Sequence, residues 1–218
     1  MAKLIVIDGL DGSGKATQAK RLQEALLKKK QKNRLISFPE YEDKSSVLVR
    51  MYLNGEFGSN VDLINPHAAS IFYAVDRFSS YNLKWKSDYL APGYIIADRY
   101  TTSNIIHQTT KIQKDQWEDF WRWLYDIEYG KLELPRPEIV IYLNMSPSIC
   151  LQLLSKRYNG NPTADLHERN IDYLNRCQEI ALYAAKKLGW HVIDCHEGKH
   201  PLSEETIEAA ISNLLDCV

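Results

Sequence analysis

The chain has 218 residues, 44% of them hydrophobic, and a formal net charge of −1 at pH 7. That apolar content suits one substantial core, and no linker, repeat or low-complexity tract interrupts it, so a single domain over 1–218 is expected. Its 27 basic residues are scattered apart from Lys28, Lys29, Lys30 and Lys32, which leaves no stripe for nucleic acid, and no apolar run approaches the roughly 20 residues of a membrane span or suits a signal peptide, so a cytoplasmic protein is expected.

In chain order, Leu4–Ile7 is a short, unalternating apolar run, as a strand buried on both faces should be. Directly after it comes Gly9-Leu10-Asp11-Gly12-Ser13-Gly14-Lys15, then a helical stretch from Ala16 to Lys29 with Ala19, Leu22 and Leu26 on one face. Strand, glycine-rich loop and helix in this order form a phosphate-binding loop. Glycines let successive backbone N–H groups converge on an anion, the helix N-terminus adds partial positive charge, and Lys15 can reach the β/γ-phosphates of ATP. Gly9, Asp11, Gly12, Ser13, Gly14, Lys15, Ala16 and Thr17 are therefore the expected nucleotide contacts. A glycine-rich turn without ligand is the alternative, and the flanking strand and helix weigh against it. Ala16 stands where such loops place a Ser or Thr for Mg²⁺. Thr17 is rotated by about 100° and cannot replace that hydroxyl directly, so Mg²⁺ is expected to be held through water and phosphate oxygens.

Further apolar runs at Leu35–Phe38, Tyr94–Ala97, Ile139–Leu143 and His191–Ile193 alternate with helical patterns. An α/β fold of the P-loop NTPase type follows, a five-stranded parallel sheet with helices on both faces and ligands at the carboxyl ends of the strands. The second strand runs into Phe38-Pro39-Glu40-Tyr41 and the third into Asp98-Arg99-Tyr100. An acid after an apolar strand is how such enzymes hold Mg²⁺, although Asp98 could instead cap a helix. Arg99 suits a second phosphate, with a surface ion pair as the alternative. The stretch Asp115 to Tyr129 carries Trp117, Phe120, Trp121, Trp123, Leu124, Tyr125 and Ile127 on more than one helical face, a surplus that suits a subunit contact. Cys150, Cys177, Cys195 and Cys217 lack C-x-x-C spacing and are expected to be reduced, buried thiols. His191, Cys195, His196 and His200 lie on or beside a strand that sends neighbours to opposite faces, so no metal site is expected there.

Phe38-Pro39-x-Tyr41, Tyr73-Ala74-Val75-Asp76-Arg77 and Asp98-Arg99-Tyr100-x-x-Ser103-Asn104, in this order behind the glycine-rich loop, resemble the thymidylate kinase family from Lys3 to about Leu188. The resemblance implies transfer of the ATP γ-phosphoryl group to dTMP, giving dTDP for dTTP synthesis, with catalysis by alignment and by charge neutralisation from Mg²⁺, Lys15 and arginines. It places Asp11, with Asp98, near the metal, and Arg99 on the acceptor phosphate. It stacks Tyr73 on the thymine ring, has Arg77 donate to a base carbonyl, and sets Asn104, after Ser103, on the base edge. Phe38 and Tyr41 wall the pocket. Tyr73 could equally pack in the core with Ala69 and Phe72, and Phe38 is as readily core as contact. His107 stands where the family has a tyrosine or similar group guarding the sugar 2′ position. Such kinases are typically homodimers.

Two departures concern the catalytic arginine. The family supplies it from the phosphate loop, where this chain has Gly12, or from a lid, here about 156–165. Arg157 is the candidate. Asp165 and Glu168 match the acidic pair after the lid, although Asp165 could simply cap a helix. Two other readings remain open: a deoxynucleoside kinase acting on a 5′-hydroxyl through Glu40, and a nucleotide-binding protein without turnover, suggested by Ala16 and the arginine-poor lid.

Overall fold

The most apolar runs of the chain pair side by side in one sheet in the computed structural model, which describes residues 1–58, 64–157 and 170–217. The strands are β1 (Lys3–Gly9), β2 (Asn33–Ser37), β3 (Tyr94–Asp98), β4 (Ile139–Asn144) and β5 (His191–Asp194), in the order β2-β3-β1-β4-β5. Every pairing is parallel. β1 lies at the centre and is buried from Leu4 onward, which is why it reads as Leu-Ile-Val-Ile rather than as an alternating pattern. The outer strands β2 and β5 are only partly covered. Ile7 sits opposite Asp98, the last residue of β3, and β1 runs on beyond it through Asp8 and Gly9.

Helices α1 (Lys15–Lys28), α2 (Val47–Leu53), α3 (Pro66–Ser80), α4 (Lys86–Leu90), α5 (Thr101–Gln108), α6 (Trp117–Tyr125), α7 (Pro147–Arg157), α8 (Ile171–Leu188) and α9 (Glu204–Asp216) surround the sheet, as the P-loop NTPase fold requires. α1 packs beside α9, while α5 packs between α3 and α8. Their termini follow local chemistry. Asn65 and Asn170 accept from the first N–H groups of α3 and α8, Pro66 opens α3, and Gly189 ends α8 in the left-handed conformation. A short hairpin, β6 (His196–Glu197) with β7 (His200–Pro201), follows β5. No helix among the described residues is long and apolar enough to cross a membrane.

Two expectations are corrected here. The tryptophan-rich segment is not one helix: a 3-10 turn at Lys114–Gln116 leads into α6, which continues as a π-helical stretch at Asp126–Lys131. Part of its aromatic surplus packs inside the chain: Trp117, Phe120, Trp121 and Leu124 are buried, while Trp123, Tyr125 and Ile127 are half-buried. Trp117 and Trp121 meet Tyr183 of α8, while Phe120 and Trp123 meet His67 of α3. A helix wedged between two others needs two apolar faces, and the indole N–H groups of Trp117 and Trp121 are satisfied by the Ile112 carbonyl and Thr109 Oγ1. Cys150, Cys177 and Cys195 are buried, and burial pushes each thiol up to about 12, whereas Cys217 is exposed.

Candidate active site

β1 ends at Gly9, and the chain turns through the glycine-rich loop into α1. Gly12 and Gly14 have φ of +85° and +89°, where L side chains are strained. The two glycines differ in surroundings: a Cβ at Gly12 would stand 2.7 Å from the Cys150 carbonyl of α7, whereas none would be obstructed at Gly14. Gly14 caps α1 without a side chain, so the first N–H groups of a 14-residue helix face outward with their partial positive charge, the geometry of an anion site. Lys15 Nζ donates to the Leu10 carbonyl at 2.8 Å and lies 3.6 Å from Asp11 Oδ1. Burial lowers the Lys15 pKa, and the nearby Arg99 charge adds to that lowering.

Arg99 follows β3 with φ +68°, and its guanidinium is the hub of the site. Nη2 pairs with Asp11, while Nη1 reaches Ser103 Oγ at 3.2 Å and His107 Nε2 at 3.3 Å, with Asp8 Oδ1 at 3.7 Å. Burial alone would raise the Asp11 pKa, but Arg99 and Lys15 outweigh it and hold the carboxyl well below its usual range. A guanidinium only donates, so His107 Nε2 accepts and Nδ1 carries the proton toward Tyr173 Oη at 3.0 Å. Burial and the Arg99 charge push the His107 pKa down to about 4. Asp8 is fully buried and binds the Gly9 N–H and the hydroxyls of Thr102 and Ser103, tying the end of β1 to the first turn of α5.

Asp98 does not cap a helix, because Tyr100 holds that place for α5. Its Oδ1 is buried without a hydrogen-bond partner among the described residues, and burial raises its pKa. A buried carboxylate oxygen left without a proton donor, beside a phosphate loop, suits a cation, so the residues present fit Mg²⁺.

Asp11, Lys15, Asp98, Arg99, Ser103 and His107 line one cavity of about 420 Å³. Of the residues expected from sequence, Asp11, Gly12, Gly14, Lys15, Ala16, Thr17, Phe38, Tyr41, Tyr73, Arg77, Asp98, Arg99, Ser103, Asn104 and His107 all border it. Phe38 is buried against Tyr100 and still touches the cavity, whereas Tyr41 stands half exposed at the rim. Tyr73 meets Tyr52 edge to face at 6.2 Å. Gly9 and Ser13 do not border the cavity: Gly9 pairs with Leu143 of β4 and Ser13 is buried beneath the loop, so both shape it from below. Asp165, Glu168, lid residues 158–165 and the side chain of Arg157 lie outside the described residues. Glu40 is bound to Ser80 and Lys84 and does not border the cavity, which removes the base that a nucleoside kinase would need.

Among the lining residues that sequence reasoning missed are Tyr173, Gln108, Lys111 and Tyr52. Gln108 was within reach, since it follows Asn104 by four residues on one face of α5. Tyr173 meets His107 across 66 positions, and no motif marks it.

A parallel sheet with a phosphate loop after its central strand, and a second cationic centre at the neighbouring strand end, defines a P-loop phosphotransferase. The family model described as thymidylate kinase matches residues 7–206. Similar proteins include a thymidylate kinase of Caenorhabditis elegans, 31% identical over 68% of this chain and 66% of its own length. A probable thymidylate kinase 1 of Saccharolobus solfataricus is 27% identical over 98% of this chain and 100% of its own, and a thymidylate kinase of Mycobacterium tuberculosis is 26% identical over 86% and 87%. The chain belongs to the thymidylate kinase family, nucleoside monophosphate kinases that use ATP to phosphorylate dTMP to dTDP.

Proposed function

We propose that both substrates occupy this single cavity of a one-domain cytoplasmic kinase, with the ATP phosphates on the Gly9–Thr17 loop and dTMP at the far end. The observation that carries the reading is the position of Arg99, in the same cavity as Lys15 and bonded to the loop carboxylate Asp11. Lys15 and the first N–H groups of α1 hold the β- and γ-phosphates. Arg99 exchanges part of its carboxylate contact for the acceptor phosphate and brings a phosphate oxygen of dTMP in line with the γ-phosphorus. Tyr73 offers its ring to the base, with Phe38 and Tyr41 as walls, Arg77 and Asn104 at the base edge, and Ser103 and His107 setting the Arg99 head. Asp98 and Asp11 hold Mg²⁺, directly or through water. Once bound, the ion neutralises charge on the phosphates. Arg157, at the end of α7, is proposed as the catalytic arginine, with Asp165 and Glu168 as substrate-binding residues.

The experiment is ADP formation from ATP and Mg²⁺ with dTMP, thymidine, dUMP and ribothymidine monophosphate offered separately. Turnover with dTMP and none with thymidine supports the reading, and turnover with thymidine overturns it. Arg99→Ala is expected to raise KM for dTMP by more than about tenfold while KM for ATP stays within about threefold. An unchanged KM for dTMP would move the acceptor site elsewhere.

A homodimer through α3 is also proposed. Val75 and Phe78, one turn apart, are each 41% exposed, an apolar face that nothing among the described residues covers. Sedimentation equilibrium should give a dimer for the wild type and a monomer for Phe78→Glu. A monomeric wild type would refute it.

A further inference from the structure

Glu128, in the π-helical stretch after α6, is completely buried, and three side chains converge on it. Arg77 donates Nε to Oε2 at 2.7 Å and Nη2 to Oε1 at 2.5 Å, and Thr101 Oγ1 donates to Oε2 at 2.7 Å. Asn104 Nδ2 lies 3.2 Å from the Ser70 carbonyl, with Glu128 Oε1 at 3.5 Å. A carboxylate only accepts, so each group facing it must donate. The fork uses Nε and Nη2 of Arg77 and leaves Nη1 without a partner among the described residues. The Asn104 amide has acceptors only, Ser70 O and Glu128, on its nitrogen side, which fixes the orientation that distance alone would leave open and turns Oδ1 away from them. Arg77 and Asn104 both border the cavity.

We propose that Glu128 is a positioning residue that sets the hydrogen-bond polarity of the base pocket, a donor at Arg77 Nη1 and an acceptor at Asn104 Oδ1, and thereby selects 4-keto pyrimidines against cytosine. This rests on the reading that places the acceptor base between Arg77 and Asn104. Thymine and uracil present an accepting O4 beside a donating N3–H. Cytosine presents the reverse, a donating 4-amino group beside an accepting N3. In this pocket it meets donor with donor and acceptor with acceptor, where buried groups cannot turn to water instead. A site built to match substrate hydrogen bonds rejects a mismatched analogue far more strongly than one that reads shape alone. Glu128 does this without touching substrate.

The test is the ratio of kcat/KM for dTMP to that for dCMP. Wild-type enzyme should favour dTMP by more than about 10³, and a ratio below about ten would refute the polarity itself. Glu128→Gln keeps the shape but places an NH₂ among donors. It should lower the ratio by more than about tenfold, mainly through KM for dTMP, with KM for ATP within about twofold. Thr101→Val removes one donor to the same carboxylate and lies outside the cavity, so it should lower the ratio by about threefold and serves if Glu128→Gln does not fold. Arg77→Lys separates the two ideas. If it leaves the ratio unchanged, the base has been misplaced. If it collapses the ratio while Glu128→Gln and Thr101→Val do not, the base placement stands and the role of Glu128 is overturned.

Discussion

His107 is held as a neutral ring by one charged donor and one hydroxyl, Arg99 Nη1 at 3.3 Å and Tyr173 Oη at 3.0 Å. Its pKa falls from 6.5 to about 4 on folding because burial and the guanidinium both oppose a second positive charge. Between those two values the unfolded chain binds more protons than the native one, so stability rises with pH and is lost as pH falls from about 6.5 to about 4. His107→Gln keeps an acceptor near Arg99 without a titrating ring. Its urea midpoint should therefore vary less with pH across that window than the wild type, and parallel curves would show that His107 titrates normally. Taking the difference between the two proteins isolates His107 from Asp98, whose raised pKa acts in the opposite sense, and from Asp11, whose lowered pKa acts below its ordinary value of 3.8. Asp98 and Arg99 could be placed at the cavity from sequence because they stand at the end of an apolar strand. Glu128 and Tyr173 could not, because their partners lie 51 and 66 positions away and only the folded chain joins them.

The phosphate loop, α1 and α7 behave as one element. Gly14→Ala meets open space and should cost only the left-handed strain, about 1–2 kcal/mol. Gly12→Ala carries the same strain and also drives a methyl against the Cys150 carbonyl, so α7 must shift and the cost should be larger by about 1–3 kcal/mol. Urea denaturation of both variants checks this, and equal losses would mean that α7 does not constrain the loop. The same contact explains why an arginine at position 12 would not fit this chain without displacing α7, the helix that carries Arg157 at its end. The strands were legible because central parallel strands are buried on both faces and show unbroken apolar runs. The tryptophan-rich segment was less legible, because two apolar faces on a helix look alike whether they meet a partner or two neighbouring helices. Its change from 3-10 to α to π winding has no marker in residue type.

At the scale of the molecule, the sheet order sets β1 beside β3 with Ile7 opposite Asp98, and this brings the phosphate loop and the Asp98-Arg99 pair together. Motifs about 90 positions apart could be read as one site only because parallel strands deliver their carboxyl ends to a common edge. The arrangement concentrates Asp8, Asp11, Asp98, Lys15 and Arg99 in one place and leaves Asp98 Oδ1 buried without a partner among the described residues. Asp98→Asn removes that charge and should raise Tm of the nucleotide-free protein by about 2–4 °C, the shift for roughly 1 kcal/mol in a chain of this size, while lowering kcat by more than about tenfold. A lower Tm would show that Lys15 and Arg99 already stabilise the carboxylate. A ligand that satisfies this oxygen adds its binding free energy to folding, roughly 2.7 kcal/mol at a hundredfold excess over Kd. Well-supplied enzyme should therefore resist proteases longer than starved enzyme, so the lifetime of the folded protein would follow how fully its cavity is occupied.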